Sequence, residues 1–425
     1  DEFHEAPITT EDIESGPQSV YHAANVAIEP QPIFLICTAN HTKNYLWNRM
    51  RIAINTRFWI SHKLEGIGWY THHIVSRMIR SHPEDEFFLL FDRPPAEDLD
   101  FPTNCEVVVL PPPARHPILW YLWMEISVRR ALKKIQPDVF FSPDGFLNLR
   151  TTIPQVPVIH DINFVHHPEF VNPGARRYYR RFFPQFARKA TEILTVSEYS
   201  RQDIAETWNI PIDRITVTYN ASQRPFSPMP ESKNQERRME VSEGHPYFLF
   251  VGAFNPRKNL QRIFEAFDRF AAVEEDHRLV LVGEKMYWPR EIDKAFQRMK
   301  YQDRVIFTGR LEGDELNSTY SAATALVFPS INEGFGIPIV EAFQSGIPVI
   351  TSITTSLPEV AGKGGIFVDP KNVDQIYEAM IQLSGDRALR DELAEAGKRE
   401  LERFDWDKSA QIAYEVLKKA ARKDG

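Results

Sequence analysis

The chain has 425 residues, 43% hydrophobic and 25% charged, with 58 acidic side chains against 50 basic ones and a net charge of −8. This excludes a wholly disordered chain, a collagen and a disulfide-stapled miniprotein, and the length allows two or three domains with their own cores. Cys37 and Cys105 alone form no cystine framework and suit a reducing compartment, while the acidic balance disfavours a protein whose task is gripping nucleic acid.

Residues 1–49 carry seven acids against Lys43 and Arg49 and show no sustained period. They read as a loosely ordered extension with a short apolar stretch near Ile33. A basic region followed by an apolar one is lacking, so no secretory signal is expected. No apolar run approaches the ~18 residues of a membrane helix. Met50 stands where a natural chain start is expected.

Arg51–Asn55 is a short apolar run feeding Glu65-Gly66-Ile67-Gly68 and then an amphipathic stretch from Trp69 to Arg80, which predicts a strand, a glycine turn and a helix. Further strands are predicted over 87–91, 107–110, 139–141, 156–159, 193–196 and 215–218. Helices are predicted over 118–135, 175–190 and 200–208. Residues 225–246 are polar and proline-bearing and read as a linker. The alternation restarts with strands over 248–251, 279–282, 305–308, 325–328, 349–351 and 366–368. A last amphipathic stretch, 406–422, has Asp405 as its candidate cap.

Alternating strands and helices imply parallel sheets built from βαβ units. The expected fold is α/β, two Rossmann-like doubly wound domains facing across a cleft. The expected boundaries are an N-terminal domain at 50–225, a linker at 226–246, a C-terminal domain at 247–404 and a terminal helix at 405–425. Such sheets bind ligands at the C-terminal ends of their strands, so the cleft is the expected site.

The most informative stretch runs from Ala325 to Ile350. A strand ends at Pro329, a loop with Glu333, Gly334, Phe335 and Gly336 follows, and Ile337-Pro338 opens a helix where the missing proline N–H costs nothing. Gly346 closes that helix and Val349 begins the next strand. The loop aims free backbone N–H groups and a positive dipole end above the sheet, as a phosphate site requires. Glu333 and Glu341 would repel phosphate, so sugar and ribose hydroxyls are their expected partners; solvated surface acids are the plain alternative. Arg257 and Lys258 follow a strand at a helix start, where cations oppose the macrodipole. His160 and Asp161 follow the run 156–159 on the cleft side.

Together these segments resemble the retaining glycosyltransferases of family 4 (glycosyl transferases group 1), which have the GT-B fold. Val251-Gly-Ala-Phe-Asn-Pro-Arg257-Lys258-Asn259, Phe307-Thr-Gly309 and Leu357-Pro-Glu359-Val360 keep the family's order. So do Gly66-Ile-Gly68, His160-Asp161 and Val196-Ser-Glu-Tyr-Ser-Arg201 in the N-terminal half. The resemblance runs from about Met50 to the C-terminus and leaves residues 1–49 outside.

It implies transfer of a hexosyl group, of mannose or glucose type, from a nucleotide-diphosphate sugar (a GDP- or UDP-sugar) to a hydroxyl of a glycan or lipid-linked acceptor, in cell-surface polysaccharide or lipid-linked glycan synthesis. The anomeric configuration would be retained by front-face displacement, with no metal and no cofactor. Arg257 and Lys258 would then stabilise the departing diphosphate. Glu333 would hold donor-sugar hydroxyls, with backbone of Gly334, Phe335, Gly336 and Ile337 near the sugar and phosphate, and Glu341 would hold the ribose. Gly309, Arg310 and Leu311 would contact the base. His160 would lie beside the reactive centre with Asp161, and Ser197 and Ser200 would mix capping with site lining. Gly66 and Gly68 would let backbone approach the diphosphate or acceptor, a tight strand–helix turn being the alternative. Ala253 departs from the polar or basic residue of many relatives. A catalytically silent GT-B-like nucleotide- or sugar-binding module is the other reading.

Asp98-Leu-Asp100 and Asp405-Trp-Asp407 read as chance and capping, and Gly66-x-Gly68 lacks the third glycine of a dinucleotide fingerprint. Residues 175–189 hold six basic and no acidic side chains among aromatics, and Arg115 to Lys134 pairs Trp120, Tyr121 and Trp123 with four further cations. A surface resting on an anionic membrane or receiving a lipid-linked acceptor is the expectation for a cytoplasmic protein, peripheral at the inner face of the membrane. Helices packing aromatics inward and bases outward are the alternative. No nucleic-acid partner is expected.

Overall fold

A computed structural model describes residues 49–59, 64, 66–95, 101–284 and 290–422. The acidic extension over 1–48, with Cys37, as well as Glu65 and the Asp98-Leu-Asp100 string, lies outside the described residues.

The first sheet holds β1 (Arg51–Asn55), β2 (Glu86–Phe91), β3 (Cys105–Val109), β4 (Val139–Ser142) and β5 (Gln155–Pro157), in the order β3-β2-β1-β4-β5 with every pairing parallel. Just beyond β5, Val158 bridges to Leu194 of β6 (Ile193–Thr195), which pairs with β7 (Ile215–Val217). The second sheet holds β8 (Tyr247–Val251), β9 (Arg278–Val282), β10 (Val305–Gly309), β11 (Ala325–Phe328), β12 (Val349–Ser352) and β13 (Gly365–Val368), in the order β10-β9-β8-β11-β12-β13. Its pairings are also all parallel. Central strands such as β4, β11 and β12 are buried at every residue. Helices cover both faces of such sheets, and the strands therefore read as apolar runs rather than as alternation.

The strand order reverses once in each sheet, between β1 and β4 and between β8 and β11, with the pairing still parallel. Loops leaving adjacent strands at such a switch point splay to opposite faces and leave a crevice. In the second sheet those loops are the ones carrying Arg257-Lys258 and Glu333–Gly336.

The predicted glycine turn is corrected: Gly66 and Gly68 belong to the first turn of the helix Gly66–Ser81. The segment 225–246 is more than a linker, since it holds the helix Glu231–Ser242. Arg237 donates from Nε to Thr319 Oγ1 (3.0 Å) and Arg238 to the Ala322 carbonyl (2.9 Å), fastening that helix onto the second sheet's layer. Only Asn234 and Ser242 of it are buried, so no apolar stripe betrays it. The predicted helix 118–135 contains a π-helical run, Trp123–Val128, between the α-helices Pro117–Leu122 and Arg129–Ile135.

The last helix, Trp406–Arg422, is capped by Asp405, whose Oδ1 accepts from the amides of Asp407 and Lys408. It returns to the first sheet's layer. Tyr414 donates to the buried Asp85 (2.7 Å), Lys419 pairs with the buried Glu192 (3.0 Å), and the Trp406 ring stacks on His73 at 4.7 Å.

Candidate active site

A cavity of about 670 Å³ lies between the two sheets' C-terminal edges, within the range of small-molecule and cofactor sites. Gly66, Trp69, His160, Asp161 and Arg224 line it from one side. Arg257, Lys258, Arg310, Leu311, Glu333–Pro338 and Glu341 line it from the other.

The basic pair is locked by its own loop. Asn255 caps the short turn Pro256–Lys258 by accepting from the Lys258 amide, and Asn259, at φ 64°, donates to the carbonyls of Pro329 and Pro370. The Ile331 amide donates to the Arg257 carbonyl at 2.9 Å, joining this loop to the one after β11. The side chains then converge on one carboxylate. Arg257 Nη1 lies 2.6 Å from Glu333 Oε2, and Lys258 Nζ lies 2.7 Å from Oε1. The Lys258 ammonium also sits 4.4 Å from the Phe328 ring centroid, a cation–π contact.

Glu333 is 6% exposed. Burial pushes its carboxyl up, but Arg257 and Lys258 outweigh that and hold it below the ordinary carboxylate value. Burial likewise lowers Lys258, with Glu333 opposing. One negative charge thus faces two positive ones, leaving the group net positive at the cavity wall.

The loop that carries Glu333 is pinned from beneath by Ser356, whose hydroxyl contacts the carbonyls of Glu333 and Phe335 at 2.9 Å. Gly336 takes φ 116° as the residue before the helix Ile337–Gln344, a conformation that favours glycine. Gly334 is needed for a different reason. A Cβ there would lie 2.6 Å from the His160 carbonyl oxygen. The two halves touch at this point: Ser197 Oγ donates to the Gly334 carbonyl at 2.8 Å, while Ser200 Oγ, within the first half, donates to the His160 carbonyl at 3.0 Å.

Glu341, inside the helix, is 4% exposed and accepts from the Tyr320 hydroxyl at 2.8 Å. Burial pushes its carboxyl up to about 7, against the Tyr320 hydrogen bond and Lys258. His160 Nε2 lies 2.8 Å from the Pro143 carbonyl. A carbonyl only accepts, so Nε2 carries the proton and Nδ1 keeps its lone pair. Burial lowers the imidazole's affinity for a second proton, and its ring meets Tyr70 edge-on at 5.0 Å. Asp161 Oδ1 accepts from the Asn163 amide at 3.0 Å.

Of the site residues read from the sequence, His160, Asp161, Gly66, Arg257, Lys258, Arg310, Leu311, Glu333, Gly334, Phe335, Gly336, Ile337 and Glu341 line this one cavity. Gly68 and Gly309 stand outside its lining. A Cβ at Gly68 would lie 2.7 Å from the Phe58 carbonyl, so that glycine serves close packing of the chain after β1. Gly309 ends β10 at φ 77° and turns the chain into Arg310. Trp69, Asn220, Arg224, Asn255, Glu284 and Glu312 line the cavity without having been singled out. Asn before Pro-Arg-Lys is an Asx-type capping signal that pointed to Asn255. Arg224 has no local signal, since its place comes from packing beside Trp69, 5.8 Å from ring centroid to guanidinium carbon. Glu359, noted only as part of a motif, bridges the halves. It accepts from the amides of Glu198 (2.8 Å) and Tyr199 (3.1 Å) and from the Tyr219 hydroxyl (2.9 Å), capping the helix Glu198–Trp208 from the opposite side.

A family model described as Glycosyl transferases group 1 matches residues 231–400, and one described as Glycosyltransferase Family 4 matches residues 64–221. The chain is 28% identical over 365 residues to O-antigen chain mannosyltransferase B of Escherichia coli, covering 82% of this chain and 94% of that one. It is 30% identical over 279 residues to O-antigen chain mannosyltransferase RfbU of Salmonella typhimurium, covering 62% and 73%. Among solved structures it is similar to sucrose-phosphate synthase from Thermosynechococcus elongatus, with a TM-score of 0.70, 17% identity and coverage of 87% and 99%. It is also similar to HepE of Anabaena in complex with UDP and glucose, with a TM-score of 0.67, 18% identity and coverage of 87% and 100%.

Proposed function

The chain belongs to the group 1 glycosyltransferases and has their GT-B fold, and from that footing we propose that it is a retaining, metal-independent hexosyltransferase, with mannose the first sugar to test. The donor is a GDP- or UDP-sugar and the acceptor a hydroxyl of a glycan or lipid-linked glycan in cell-surface polysaccharide synthesis. Support for the sugar and the pathway comes from two relatives described as O-antigen chain mannosyltransferases. Residues 50–225 take the acceptor role and residues 247–404 the donor role.

The observation that carries the reading is the convergence of Arg257 and Lys258 on Glu333 at the switch point of the second sheet. The diphosphate gains charge as the bond from the anomeric carbon to its oxygen breaks. Two cations held by their own loop and the helix end at Gly336 stabilise that charge once Glu333 has turned away from them. The acceptor oxygen bonds to the anomeric carbon on the face the leaving group vacates, and its proton passes to the departing phosphate oxygen. No side-chain base is required, and His160, neutral with its proton on Nε2, positions rather than abstracts. Glu333 turns from the cations toward donor-sugar hydroxyls, and Glu341 accepts from the ribose. The Ala253 side chain supplies no phosphate contact, and Arg224 and Arg310 bring the cations of the lining to four.

The test is a panel of UDP-, GDP- and ADP-sugars with and without chelator, read as nucleotide release and then transfer. One donor released independently of chelator, with loss in Glu333→Ala, is the expected result. Nucleotide binding with no release from any donor would refute it.

A further inference from the structure

Residues 115–189 are electrically unlike the rest of the chain. They hold twelve lysine and arginine side chains against five acidic ones, a net of +7 within a chain of −8. Two of those acids, Glu125 and Asp144, are buried. The bases concentrate on the helix Pro173–Lys189, where Arg177, Arg180, Arg181 and Arg188 are all exposed, Arg177 three and four residues before Arg180 and Arg181, while Tyr178, Phe183 and Phe186 are buried.

Like charges three and four apart on a helix repel, and nothing here relieves them. The ion pairs nearest in sequence, His167–Glu169 and Lys419–Glu192, leave these arginines without a carboxylate partner among the described residues. Arg176, Arg177, Arg180 and Arg181 ring an open depression of about 620 Å³. The helix Pro117–Leu122 packs alongside, with Trp120 stacked on Tyr179 at 5.7 Å and Tyr121 meeting Phe182 at 5.7 Å. At its start Ile118 is 65% exposed, close in sequence to the exposed Arg115.

We propose that this face docks on an anionic membrane, with lipid phosphates entering the arginine-ringed depression and Ile118 entering the interfacial layer. Unpaired cations beside an exposed aliphatic and an aromatic layer match a lipid interface, which offers phosphate and hydrocarbon together. A membrane is favoured over a polyanion in solution by Ile118, whose exposed aliphatic side chain a phosphate polymer would leave in water. Among the described residues no helix is long and apolar enough to cross a membrane, so the contact is peripheral. The inference extends the reading of a lipid-linked acceptor and does not depend on the donor.

The test is co-sedimentation of the full chain with vesicles of phosphatidylcholine alone and of phosphatidylcholine mixed with phosphatidylglycerol, at low and high salt. Binding is expected only with the anionic lipid and is expected to weaken with salt. The double variant Arg177→Gln/Arg181→Gln is expected to bind roughly 25-fold more weakly, at about fivefold per lost cation, while its donor hydrolysis in solution is unchanged. Equal binding to neutral vesicles, variant binding equal to the parent's, or capture of single-stranded DNA without vesicle binding would each overturn the proposal. Absence of nucleotide release from every donor would instead strike the transferase chemistry and leave the vesicle result standing.

Discussion

Replacing Glu333 with glutamine tests the cation clamp directly. The carboxylate is buried and bonded to Arg257 at 2.6 Å and Lys258 at 2.7 Å. Glutamine keeps the shape but leaves the buried Lys258 and the half-buried Arg257 without their bonded carboxylate, and removing one partner of a buried pair costs about 3–5 kcal/mol. At roughly 2 °C or more per kcal/mol for domains of this size, Tm falls by about 6 °C or more. A nucleoside diphosphate supplies the missing negative charge, and in the variant it no longer competes with Glu333 for the cations. GDP or UDP must therefore raise the variant's Tm by more than it raises the parent's, while sugar transfer is lost. Thermal scanning with and without nucleotide reads both quantities. The pH dependence follows the same logic. Glu333 sits below its ordinary 4.5, so its contribution is present above that pH and disappears as pH falls through the lowered value. An unchanged Tm in Glu333→Gln, or a nucleotide shift smaller than the parent's, refutes the reasoning.

Three further outcomes follow from the geometry. Folding raises Glu341 from its ordinary 4.5 to about 7, so its favourable effect on stability is complete below 4.5 and fades as pH rises to 7. Ribose hydroxyls need the carboxylate as acceptor, so calorimetric nucleotide affinity must rise with pH through about 7, and Glu341→Gln must remove that component. Gly334→Ala forces a Cβ to 2.6 Å from the His160 carbonyl; a strain of about 1–3 kcal/mol lowers kcat/KM for transfer roughly 5- to 150-fold. Glu359→Ala strips the acceptor from the Glu198 and Tyr199 amides, costing about 1–2 kcal/mol as lost caps do, and hydrogen exchange at those two amides must accelerate.

The parallel sheets were legible because strands buried on both faces appear as unbroken apolar runs, and the helix Trp406–Arg422 because its apolar stripe and Asp405 cap are local. The Glu333–Gly336 loop was legible for the same reason, since strand end, glycines, proline and closing Gly346 all lie within one short segment. The helix Glu231–Ser242 was not, because polar contacts from Arg237 and Arg238 hold it rather than a buried stripe. Gly68 looked like a loop glycine because its true neighbour, the Phe58 carbonyl, is set by packing. Arg224 and Trp69 meet only after the fold closes, and Glu359 finds its amides across the cleft, so neither pairing has any imprint at short range.

The return of Trp406–Arg422 to the first layer has a mechanical result. Backbone passes from one half to the other in two places, once before the helix Glu231–Ser242 and once before Trp406, where the indole nitrogen donates to the Ser222 carbonyl at 2.8 Å. A body tethered by two neighbouring straps swings about the line joining them and resists twisting across it. Any opening of the two lobes must then turn about the line joining the straps, and it parts Gly334 from the carbonyl of His160.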